Sequence, residues 1–154
     1  MIKTRTREVA DVSWTRVVVG IDGSPDGNRA LRWACDEARE HGAELHVLMA
    51  YTVPAPPVAV GFGVPPWRSE EDWRSDSEVV LRETLLEVLG DDPGVEVRSD
   101  VIEGVPAKVL IDASQRADLL VVGTRGHGGF AGMLLGSVSQ HLAAHAACTV
   151  AVVR

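Results

Sequence analysis

The sequence predicts an α/β fold: a five-stranded parallel sheet with helices on both faces. Two observations carry this. Val17-Val-Val-Gly-Ile-Asp22 and Asp118-Leu-Leu-Val-Val-Gly123 are apolar and β-branched without alternation, as strands buried on both faces are. Segments of helical period separate the strand-like runs in the order βαβαβαβαβ, and a strand followed by a crossover helix returns as a parallel neighbour.

The first strand ends at Asp22-Gly-Ser-Pro25, where Ser24 can cap a helix and Pro25 can take its first position. Ala30, Leu31, Ala34 and Ala38 then recur at helical spacing to about His41-Gly42. Glu44 to Ala50 reads as the second strand. Pro54 to Trp67 holds five prolines and two glycines, which excludes a helix or an inner strand and makes it a loop. From Glu70 to Leu89 the positions Val79, Val80, Leu85, Leu86 and Leu89 sit among charges at helical spacing, and Gly90-Asp-Asp-Pro-Gly94 stops the helix.

Val95 to Val101 alternates like a half-exposed edge strand. Val105 to Ser114 predicts a short helix with Val109, Leu110 and Ala113 inward, followed by the apolar strand that ends at Gly123. Ser137 with Gln140 predicts a capping box at the start of the last helix, whose inner face is Val138, Leu142 and Ala146. Thr149 to Val153 closes the sheet. The organisation expected is an N-terminal tail over 1–15 and one domain over 16–154, with a Pro-rich loop at 53–68.

A chain of 154 residues can bury roughly 70% of its unfolded surface and needs no metal or disulfide to fold. Cys35 and Cys148 show no CxxC spacing and read as small buried hydrophobes in a reducing compartment. The first sixteen residues lack the apolar core of a signal peptide, and no run is long enough to span a bilayer. The expectation is a cytoplasmic protein with no membrane partner. Net charge is −7; residues 70–103 hold twelve acids and three bases, so that stretch carries −9 and the remainder +2. Phosphate-backbone affinity rests on clustered Lys and Arg, so a nucleic-acid partner is not expected.

In a doubly wound sheet a ligand sits outside the carboxyl ends of strands where the winding reverses. The loops after the first and fourth strands hold Asp22 and Gly123. Gly123-Thr-Arg-Gly126 is followed after nine residues by Gly136-Ser137 at a helix start. Glycines leave backbone N–H groups unshielded and free to take φ > 0, and a Ser at a helix start adds its hydroxyl and the helix dipole, which together make a phosphate cradle.

Each residue also has a plainer reading. Asp22 can close an Asx turn, Ser137 can be only an N-cap, and Gly126 can serve only a tight turn. Arg125 and His127 can clamp phosphate or stay solvated. His141 and His145 lie at i, i+4, but no acid stands near them in sequence, and a surface pair and no metal is expected. Trp67 and Trp73 can lid a base or simply pack the Pro-rich loop.

Gly126-His-Gly-Gly-Phe-Ala131 fits a dinucleotide pattern, yet only one strand follows it and no acid lies about twenty residues on. A Walker loop is excluded, because the two lysines, Lys3 and Lys108, do not follow a glycine loop. Without that Lys, a Mg²⁺-binding acid or an obvious base, binding is expected rather than fast phosphoryl transfer.

Val17-Val-Val-Gly-Ile-Asp-Gly-Ser24, Gly104-Val-Pro-Ala107, Ala117 to Gly126, Leu135-Gly-Ser-Val-Ser139 and the closing Cys-x-Val strand together resemble the universal stress protein family over nearly everything from Trp14 to Arg154. The glycine, two residues, glycine, nine residues, glycine and Ser spacing resembles its ATP-binding branch. That resemblance implies a Rossmann-like three-layer sandwich of the adenine nucleotide alpha hydrolase-like type. It implies ATP, with or without Mg²⁺, as the ligand, its adenine near Asp22 and the backbone around Gly20 and Ala50. Ribose and phosphates would then lie over Gly123, Gly126, Gly136, Ser137 and the N–H of Val138, with Arg125 and His127 as further phosphate contacts. A carboxylate repels a triphosphate, which puts Asp22 at the nucleoside end.

The function implied is a nucleotide-dependent regulator of stress response or growth state. A dimeric interaction module with an empty site and a weak ATPase are the alternatives. In related proteins the last strand pairs antiparallel across a homodimer, and here Thr149 replaces a proline common after the cysteine. The final strand, Thr149 to Arg154, has an open row of N–H and C=O groups that fits such pairing.

Overall fold

A computed structural model describes residues 13–55, 68–126 and 135–154. The elements follow in the expected order: β1 (Arg16–Ile21), α1 (Pro25–His41), β2 (Glu44–Tyr51), α2 (Glu70–Leu89), β3 (Val97–Glu103), α3 (Pro106–Ser114), β4 (Leu119–Gly123), α4 (Ser137–His145) and β5 (Thr149–Val153). The strands form one sheet in the order β3-β2-β1-β4-β5, and every adjacent pair is parallel. Winding therefore runs one way from β1 to β3 and the other way from β4 to β5, reversing between β1 and β4.

Alternate residues of the central strands feed two cores. Val17, Val19, Leu45, Val47, Leu119 and Val121 pack against Ala30, Leu31, Ala34 and Ala38 of α1 and Leu81 of α2. On the other face Val18, Leu48, Leu120 and Val122 meet Leu110 of α3 and Leu142 of α4. This is the three-layer arrangement, with two helices on each face.

The ends of α1 are set by local chemistry. Ser24 Oγ accepts from the Gly27 N–H at 3.1 Å, Pro25 opens the helix, and Gly42 closes it in the left-handed region at φ 64°. An Asx turn precedes it, because the Ser24 N–H donates to Asp22 Oδ1 at 3.0 Å.

Helix α2 departs from expectation on its packing face. Leu81 and Thr84 are buried and Leu85, Val88 and Leu89 pack partly, whereas Val79, Val80 and Leu86 are exposed, Leu86 by 55%. Three contiguous apolar residues, Val79-Val-Leu81, cannot share one helix face, and only Leu81 lies toward the sheet. Strand β3 begins two residues later than predicted, at Val97, and is an exposed edge. Cys35 is buried and Cys148 half-buried; both are free thiols, and burial pushes both above the ordinary thiol range. Among the described residues no helix is long and apolar enough to cross a membrane.

Candidate functional site

Strands β1 and β4 share only three register pairs, Val17 with Leu119, Val18 with Leu120 and Val19 with Val121, whereas β1 and β2 share six. Past Val19 and Val121 the tips of β1 and β4 no longer share a register, and a cavity of about 490 Å³ opens there. Its volume falls in the range of small-molecule sites, roughly 300 to 1,000 Å³.

The cavity has two kinds of wall. Leu48, Ala50, Pro106, Val109, Leu110 and Val122 form an apolar side. Asp22, Gly123, Arg125, Gly126, Gly136, Ser137 and Val138 bring backbone amides and the only charged groups among its described lining residues. Of the residues singled out in the sequence, Gly20, Asp22, Ala50, Gly123, Arg125, Gly126, Gly136, Ser137 and Val138 all line this one space. His127 and Trp67 lie outside the described residues, as do most of the dinucleotide-like Gly126 to Ala131 segment and residues 56–67 of the Pro-rich loop.

The glycines are there for close approach rather than for left-handed backbone. Among the described residues positive φ occurs at Gly23, Gly42, Gly90, Gly94 and Gly104, not at Gly123, Gly126 or Gly136. A Cβ on Gly123 would stand 2.7 Å from the backbone carbon of Asp26, and one on Gly126 would stand 2.4 Å from Asp22 Oδ2. The freedom to take φ > 0 is therefore not used at these loop glycines, and at Gly123 and Gly126 space is what a side chain would lack.

The start of α4 also differs from the predicted capping box. Gly136 is the N-cap, extended at φ −72° and ψ 164°, and Ser137 is already the first helical residue. Gln140 Nε2 donates to the Leu135 carbonyl at 3.2 Å, not to a cap, so Ser137 forms no side-chain cap and lines the cavity instead. The first N–H groups of a helix have no intrahelical acceptor, and those of α4 begin at this wall.

Two residues the sequence reading did not select hold the loop after β4. Thr124 is buried, its N–H donates to the Val153 carbonyl at 2.9 Å, and its carbonyl accepts from the Gly136 N–H at 2.7 Å. Its hydroxyl donates to Asp26 Oδ2 at 2.7 Å. That hydroxyl holds the Asp26 carboxyl below its ordinary range, with Arg29 and the Arg125 N–H acting in the same direction against burial. Ser139 Oγ donates to the Gly123 carbonyl at 2.8 Å and ties α4 to the tip of β4.

His141 and His145 face one another on α4 with ring centroids 6.1 Å apart, and among the described residues no group of three or more metal-ligating side chains occurs. Trp73 lies under the Arg68 guanidinium, 4.6 Å from the ring centroid, at the start of α2, and does not line the cavity.

A doubly wound α/β domain with a ligand-sized crevice at its switch point is the class that fold and cavity define. The universal stress protein family model matches residues 13–154, and the chain belongs to that family. A universal stress protein of Mycolicibacterium smegmatis is 38% identical over 140 residues, covering 90% of this chain and 45% of the relative. The chain therefore spans about half the length of the curated relatives it matches. Among solved structures, the universal stress protein UspA from Lactobacillus plantarum superposes with a TM-score of 0.74 at 19% identity, covering 94% of this chain and all of the other. A universal stress protein in complex with cAMP superposes with a TM-score of 0.69 at 28% identity, covering 92% and 98%.

Proposed function

We propose that the cavity between β1 and β4 binds an adenine nucleotide, with ATP, with or without Mg²⁺, as the expected ligand. The observation that carries this reading is the meeting of Asp22 with Gly126, Gly136, Ser137 and Val138 around one space. The apolar side by Ala50, Val109 and Leu110 suits a purine, and the amides at the start of α4 suit phosphate oxygens. A relative of similar fold that holds cAMP supports the adenine nucleotide class.

The described walls carry no Lys of the kind that holds transferring phosphates, and we read the nucleotide as a signal or structural ligand in a stress-response regulator. Edge strand β5 has β4 on one side only, and pairing of two copies through its other side is the assembly we expect. The site residues and the ligand are tested together by the nucleotide the protein carries and by its response to added ATP. Protein purified without added ligand releases an adenine nucleotide on denaturation, read by mass spectrometry, and Asp22→Ala abolishes the release with the fold kept. Added ATP at one hundred times its Kd raises stability by about 2.7 kcal/mol. An empty wild-type site with no thermal shift at millimolar ATP overturns the reading.

A further inference from the structure

We propose that Asp26, in the first turn of α1, is a positioning residue of the phosphate half of this site, acting through Thr124 and Arg125. The inference rests on the nucleotide reading above and adds a residue that lines no part of the cavity itself.

Four contacts converge on Asp26. Its backbone and Cβ lie so close to Gly123 that any side chain there would meet them at 2.7 to 2.9 Å. Its carboxylate accepts the Thr124 hydroxyl at 2.7 Å and the Arg125 N–H, and it pairs with Arg29. With a side chain only 17% exposed, it is held between α1 and the loop rather than displayed to solvent.

What these bonds fix is the direction of the chain as it leaves β4. Thr124 is gripped by its hydroxyl from α1, by its N–H from the end of β5, and by its carbonyl from the N-cap of α4. Of the three grips, only the hydroxyl bond comes from a side chain on the β1 side of the cleft. Removing it leaves Thr124 tied to β5 and α4, with the Arg125 N–H as the remaining bond from the loop to Asp26, so the loop is held less firmly against α1. Arg125, Gly126 and Gly136, which follow or contact Thr124, form the polar wall of the cavity. The apolar wall at Leu48, Ala50, Val109 and Leu110 comes from β2 and α3 and makes none of these bonds.

A positioning role therefore weakens phosphate contacts and spares the base pocket. Asp26→Ala and Thr124→Val should each lower affinity for ATP by about tenfold, the scale of one hydrogen bond to a charged group, while affinity for adenosine stays within about twofold of wild type. Thr124→Ser keeps the hydroxyl and should restore ATP affinity. Calorimetric titration of the full chain with ATP and, separately, adenosine reads the split, and thermal melts confirm that each variant is folded. If Asp26→Ala and Thr124→Val bind ATP like wild type, or lose ATP and adenosine equally, the positioning role is overturned and the nucleotide site stands. If wild type binds neither ligand, the nucleotide reading itself falls and this inference with it.

Discussion

Asp22 Oδ2 occupies the space a side chain on Gly126 would need, since a Cβ at 126 would come within 2.4 Å of it. The acid that ends β1 and the glycine after β4, 104 positions apart in the chain, are thus in contact across the mouth of the cleft. The obstacle is the end of a side chain, and Gly126 is not in the left-handed region. Gly126→Ala should therefore cost less than about 1 kcal/mol in urea unfolding, because Asp22 can rotate away, yet it should abolish nucleotide retention. Gly123→Ala meets backbone atoms of Asp26 and should destabilise by about 3 kcal/mol. Equal stability losses in the two variants would contradict the distinction between a mobile and a fixed neighbour.

Leu81 and Leu86, five residues apart on α2, have opposite fates: Leu81 is 5% exposed against the sheet and Leu86 is turned outward. Leu81→Ala should cost about 3 kcal/mol, through lost burial and the cavity left behind. Leu86→Ala should change stability by less than about 0.5 kcal/mol. Denaturant midpoints of the two variants check this directly.

Asp118 gathers the start of β1 onto the start of β4. Its Oδ2 accepts from the Thr15 N–H at 2.8 Å, the Thr15 hydroxyl at 2.9 Å and the Arg16 N–H at 3.0 Å. The Thr15 and Arg16 N–H groups, then the Thr15 hydroxyl, hold its carboxyl below the ordinary 3.8. A depressed folded value means the stabilisation is present above the unfolded value and is lost as pH falls through the folded one. Asp118→Ala should lower stability by about 1 kcal/mol at neutral pH, since the group is largely solvated. The wild-type and variant stabilities should converge below about pH 4. A difference that persists unchanged into acid would assign the effect to something other than the carboxylate.

If β5 pairs copies through its outer side, sedimentation at micromolar concentration should show a dimer. Only monomers under those conditions would remove the pairing from the account.

Most of the frame was legible because strand and helix periods differ and the Gly and Pro turns fall between them. The buried runs at Val17 and Leu119 are the central strands β1 and β4, and the switch point follows from their order. What local pattern could not settle was which of several adjacent apolar residues faces the sheet, as at Val79-Val-Leu81, where the answer depends on how α2 is rotated against its neighbours. Ser137 and Gln140 have the spacing of a capping box, but Gly136, whose N–H is bonded to the Thr124 carbonyl, is the cap. Nothing local marks Asp26, since an acid in a first helical turn ordinarily complements the helix dipole. Its link to Thr124 spans 98 residues and exists only once the two strands lie side by side.

Each of the two inner strands keeps its full ladder with its outer neighbour, β1 with β2 and β4 with β5, while the shared ladder between them stops at Val19 and Val121. The opening therefore sits directly on the second core, since Leu48, Leu110 and Val122 belong to both. Only wall positions outside that core, such as Asp22, Arg125 and Ser137, can be exchanged to rewrite the chemistry of the guest without disturbing the scaffold beneath.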